Sequence, residues 1–201
     1  DLPPSMYLET PIRWLVDLDK KGNLKGFTQT EGTAKRNDRG KEYLAPFISR
    51  SVGISAKLLA DNGEYVFGIA KEIKGGERSK KDKRTRDTVI RHNEFIKTVK
   101  ECAEKTGESA VSAVLTFLEK MDVSKIDFPE DFSPDMNFTF RVDDILPINL
   151  ESVQRFWADK AGGSGEEREE AAALTGKCIV CGKEKPLMLN HPIKIKGIPG
   201  G

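Results

Sequence analysis

Three cysteines in 201 residues, one of them apart at Cys102, are too few for the disulfide framework of a small secreted domain. No apolar run approaches the roughly eighteen residues that a membrane span requires. No signal-peptide pattern precedes the first strand, so the sequence reads as that of an intracellular protein. An excess of one charge is missing too. Lysine and arginine number 33 against 32 acids, so the total says nothing about a polyanionic partner. A chain of this length can still build a real core, as one large domain or two small ones.

What the totals hide is the distribution. Between Lys71 and Arg91 stand nine basic side chains against four acids, whereas from Asp122 to Glu151 eight acids face only Lys125 and Arg141. A neutral chain can carry a basic patch with a field of its own. Lys71, Lys74, Arg78, Lys80, Lys81, Lys83, Arg84 and Arg86 read as a basic loop rooted at Gly75-Gly76. Such a loop serves either as a solubilising surface or as a grip on phosphates.

Hydrophobic periodicity predicts an α+β fold. The run Ile12 to Asp19 places Trp14, Val16 and Leu18 on one face, and a Lys20-Lys21-Gly22-Asn23 turn returns it through Leu24 to Thr30 as a hairpin. Glu31 to Glu42 reads as a polar loop whose Lys35, Arg36, Arg39 and Lys41 are either solvated, the favoured reading, or in contact with DNA. Tyr43 to Ile48 reads as an edge strand with Pro46. Residues 54–70 resist assignment. Asn62, inside Asp-Asn-Gly, fits a turn and equally a base-reading amide.

Thr88 to Lys105 repeats Val89, His92, Ile96, Val99 and Ala103 at helical spacing, with Phe95 and Cys102 widening the stripe. Glu108 to Met121 predicts a second helix, and the short link at Gly107 packs the two as a pair. His92 and Cys102 read as core residues. The acidic connector Asp122 to Met136 lacks the spacing of a calcium loop and reads as solvated. Asn137 to Val142, a turn at Asp143-Asp144 and Ile145 to Ile148 predict a second hairpin. Glu151 to Ala161 predicts a helix burying Val153, Phe156 and Trp157. Three regions result: an α+β domain over 1–161, a polar linker over 162–175, and a Cys-x-x-Cys segment over 176–201.

That last segment reads GKCIVCGKEKPLMLNHPIKIKGIPGG. Cys178 and Cys181 have the spacing of half a zinc-knuckle-like structural site, with His191 as a third ligand; a second knuckle to complete four ligands is missing. The other reading is a pair of free thiols bracing a turn. Lys194 and Lys196 alternate with Ile193, Ile195 and Ile198, so both charges leave one face of a strand. Gly197 and Gly200 let a backbone approach closely, which suits a phosphate chain. The same Cys178, Cys181 and His191 resemble the start of an HNH-type metal-dependent endonuclease. Asn190 stands where such enzymes carry aspartate, however, and the downstream histidine is missing.

The runs CIVCG and HPIKIKGIPGG, together with PIRWLVDLDKKGNLKGF, LLADNGEYVFGIA and NFTFRVDDILPINLESVQRFW in that order, resemble the large subunit of type I-C CRISPR surveillance (Cascade) complexes, the Csd family. The resemblance covers nearly the whole chain, and by it the chain reads as an N-terminal portion of a longer subunit. It implies a bacterial cytoplasmic protein with no membrane partner and no chemistry of its own. Its implied partners are crRNA, the other Cascade subunits, target duplex DNA and a helicase–nuclease acting in trans. Recognition of the short motif beside the target (PAM) and help in opening the duplex are the implied tasks. That implication favours the phosphate-gripping reading of the basic loop.

Overall fold

The computed structural model describes residues 3–32, 38–50, 53–72, 78–163, 175–177 and 184–186. The chain divides into two units, Asp1–Ala161 and Gly162–Gly201. The first is α+β. Strands β1 (Tyr7–Ile12), β2 (Trp14–Leu18), β3 (Leu24–Gln29), β4 (Lys41–Pro46) and β5 (Ala60–Asn62) lead into helix α1 (Gly63–Phe67). Helices α2 (Arg78–Thr106) and α3 (Ser109–Lys120) follow, then strand β6 (Asn137–Val142) and helix α4 (Glu151–Gly163).

One sheet runs β3-β2-β6-β5, and a separate antiparallel pair joins β1 to β4. β2 and β3 form the expected hairpin, while β2 lies parallel to β6 with Trp14 beside Phe138 and Val16 beside Phe140. Paired residues share a face, so Trp14, Val16, Leu18, Phe138, Phe140 and Val142 make one buried layer. The helices cover that layer. Phe95 of α2 stacks 6.3 Å from Phe140, and Phe117 of α3 meets the same ring edge-on. On the opposite face Arg141 donates to Asp17 at 2.7 Å.

The β2–β3 turn is locked by contact with α3. Gly22 has φ +78°, and a Cβ there would lie 2.5 Å from the Ala113 carbonyl oxygen, so only glycine fits. α2 and α3 pack as the predicted helix pair, burying Phe95, Val99, Cys102, Val111, Val114 and Leu118. Cys102 has no exposed surface, and burial pushes its thiol up to about 12, which removes it as a nucleophile. Trp157 of α4 is buried and donates its indole N–H to the carbonyls of Met6 (3.1 Å) and Phe47 (3.2 Å). It thereby ties the last helix of the unit to the ends of the β1–β4 pair.

Several local readings change. The second hairpin shrinks to a tight turn closed by one bridge, Val142 to Ile145, because Pro147 opens a 3-10 turn (Pro147–Asn149) and removes a strand donor. β6 finds its partners in β2 and β5 instead. Residues 60–67, unassigned from sequence, form a short strand running straight into a helix. The acidic connector is more than solvated: Phe128 and Phe132 lie 5.1 Å and 6.0 Å from Phe67 and close one end of the core. Lys41 and Glu42, expected in a loop, begin β4. In the second unit, β7 (Thr175–Lys177) pairs antiparallel with β8 (Glu184–Pro186), so Thr175 belongs to a strand where a linker was expected.

Candidate nucleic-acid interface

The basic run is helical. Arg78, Lys80, Lys81, Lys83, Arg84 and Arg86 occupy the start of α2, ten residues earlier than the periodicity predicts. Lysine and arginine are good helix formers, and no glycine or proline interrupts 78–106. Gly75-Gly76 masks this in the sequence, because the whole basic run inherits a loop reading from its root. The first buried residue of α2 is Thr88, so residues 78–87 extend past the packed core.

Charges on this segment sort by direction. An α-helix turns by roughly 100° per residue, so positions seven apart nearly coincide. Arg84 and Arg91 therefore share the inner face, and both reach Glu64 of α1. Arg84 lies 2.7 Å from one carboxylate oxygen and Arg91 3.2 Å from the other. The backbone N–H of Lys71 adds a third donor at 3.1 Å. Glu64 is only 6% exposed, so these donors satisfy a buried carboxylate. Arg84 is thus a structural cation. Lys71 is committed as well, at 2.9 Å from Asp135. The Ser133 hydroxyl and the Lys71 ammonium hold Asp135 down at about 2, so this pair persists at neutral pH.

The other cations have no such partner. Arg78, Lys80, Lys81, Lys83 and Arg86 are exposed and form no ion pair among the described residues. They radiate around the helix rather than lining one stripe, yet they fall within nine consecutive positions. At 1.5 Å per residue these span about 12 Å, and successive cations are separated along the axis by less than the roughly 8 Å Debye length at physiological salt. Their fields add. The first turn of α2 holds no acid, so the cations sit at the positive end of the helix dipole, where they weaken the isolated helix. A bound anion would relieve both the mutual repulsion and the dipole conflict.

Asn62 takes the turn reading in this structure. It caps α1, its side-chain oxygen accepting from the backbone N–H of Glu64 (3.1 Å) and Tyr65 (3.4 Å). A bidentate contact to adenine needs that oxygen free. Lys74, Cys178, Cys181, His191, Lys194, Lys196, Gly197 and Gly200 lie outside the described residues.

A family model described as CRISPR-associated protein (Cas_Csd1) matches residues 1–201. The chain belongs to this Csd family. It is by that membership a CRISPR-associated protein and a subunit of a Cascade complex. No curated protein matches it at a significant level.

Sequence reasoning missed Glu64, a buried carboxylate with three donors, which lies in the unassigned stretch. The signal was present in the seven-residue spacing of Arg84 and Arg91, which puts two cations on one face and demands an acid opposite. Arg50 is a parallel case: it pairs with the buried Asp61 and lies 4.0 Å over the Tyr65 ring. His92 donates from Nδ1 to the Tyr65 carbonyl at 2.8 Å and packs against Gly68, so it is a hydrogen-bonded packing residue. Among the described residues no helix is long and apolar enough to cross a membrane, and no cluster of three metal-ligating side chains occurs.

Proposed function

We propose that the start of α2 grips the phosphate backbone of duplex DNA beside the target, within a crRNA-guided complex, and that the chain does no chemistry itself. The observation that carries this reading is the set of five unpaired cations, Arg78, Lys80, Lys81, Lys83 and Arg86, on a helix end beyond the core. Lys71 and Arg84 drop out of the contact set because each is bound to an acid. Phosphate contacts of this kind supply most of the sequence-independent affinity and fix register without reading bases. PAM recognition, help in opening the duplex and recruitment of a helicase–nuclease belong to the same reading and rest on membership of the family. Lys194, Lys196, Gly197 and Gly200 remain secondary contacts in it.

The test is titration of the intact chain with duplex DNA at several salt concentrations. Affinity that falls steeply with salt supports the reading, and the absence of binding at low salt removes it.

A further inference from the structure

Past the cationic end, the outer face of α2 changes character. Val89 and Ile90 are 54% and 49% exposed, the most solvent-exposed large hydrophobic residues of the helix. At roughly 100° per residue they fall in one sector, about 100° wide, with Arg86, Asn93, Lys97 and Lys100. The sector runs from residue 86 to residue 100, about 21 Å of helix. Val89 was expected in the core stripe of α2. Instead that stripe is carried by Phe95, Val99, Cys102 and Ala103, and Val89 points away from it.

We propose that this sector is a docking surface for a protein partner in the assembled complex, one presenting an apolar spot rimmed by carboxylates. Three occupants compete. A phosphate backbone offers nothing apolar for Val89 and Ile90 to bury against, so nucleic acid leaves them unused. A second copy of the chain would place Arg86, Lys97 and Lys100 against their like, which repels. An acidic-rimmed apolar surface satisfies both features at once: aliphatic side chains at the centre, cations at the edge. Lys97 is only loosely held by Glu94 at 3.9 Å, and Lys100 pairs with no acid among the described residues, so both are available to the rim. The inference does not depend on the DNA reading, because the two surfaces meet only at Arg86.

The experiment immobilises a crRNA complex co-expressed without this chain and measures capture of the intact chain. Val89→Ser/Ile90→Ser is expected to weaken capture at least about tenfold, with unchanged unfolding midpoint and unchanged duplex affinity. Lys97→Glu/Lys100→Glu is expected to weaken it as well and to reduce its salt dependence. Replacing Arg78, Lys80, Lys81 and Lys83 by alanine should leave capture intact, which separates this surface from the DNA site. Undiminished capture in both outer-face variants overturns the proposal. So does a serine variant that loses duplex binding while keeping capture, which assigns the face to nucleic acid, and so does wild-type dimerisation abolished by that variant.

Discussion

Arg84 and Glu64 meet at 2.7 Å, joining the exposed start of α2 to the buried end of a five-residue helix. The pair has two consequences for the candidate surface. It removes one cation from the candidate surface, and it anchors the helix on which the remaining cations stand. Replacing Glu64 by glutamine leaves Arg84 and Arg91 facing a neutral amide. Arg84 is itself about a third exposed, so the cost falls below that of a fully buried pair, at roughly 1–3 kcal/mol. Chemical denaturation should show that loss, and hydrogen exchange should accelerate in the first three turns of α2. Unchanged exchange there would mean that Glu64 does not anchor the helix.

Asn62→Ala separates a cap from a base reader. Losing the two bonds to the Glu64 and Tyr65 amides should cost about 1 kcal/mol. Duplex affinity, measured where the variant is fully folded, should be unaffected. Lost affinity at full folding would reinstate Asn62 as a contact.

His92 should make stability sensitive to mild acid. Burial holds its folded-state value below the ordinary histidine value, despite the Tyr65 carbonyl that favours the charged form. The unfolded chain therefore binds the proton more readily, and stability present above about pH 6.5 is lost as pH falls below it. Urea midpoints measured down to pH 5 should decline less steeply in His92→Gln than in the wild type. Parallel slopes would assign the acid sensitivity to other groups.

Trp157→Ala should cost about 3–5 kcal/mol, since it opens a cavity and orphans the Met6 and Phe47 carbonyls. Trp157→Phe, which keeps most of the packing, should cost less. Equal losses would place the importance of Trp157 in its N–H alone.

The parts of the fold legible in the sequence were those with a clean period. Trp14, Val16 and Leu18 alternate and Phe95, Val99 and Cys102 recur at helical spacing, so the first hairpin and the helix pair could be read directly. The start of α2 could not, because a helix made of lysine and arginine has no apolar period to detect. The acid that braces it, Glu64, lies 20 residues before its partner Arg84. The parallel pairing of β2 with β6, more than a hundred residues apart, has no local signal either. At the site, composition located the cations, but only geometry sorts the five free ones from Lys71 and Arg84.

The most direct measurement compares the salt dependence of duplex binding for the wild type and for a variant with Arg78, Lys80, Lys81 and Lys83 all replaced by alanine. These side chains are exposed and alanine favours helix, so the variant should fold at least as stably. The expected result is at least about tenfold weaker binding near 0.1 M salt, and a slope of log affinity against log salt that is shallower by about 2–4. An unchanged affinity with an unchanged slope would contradict it.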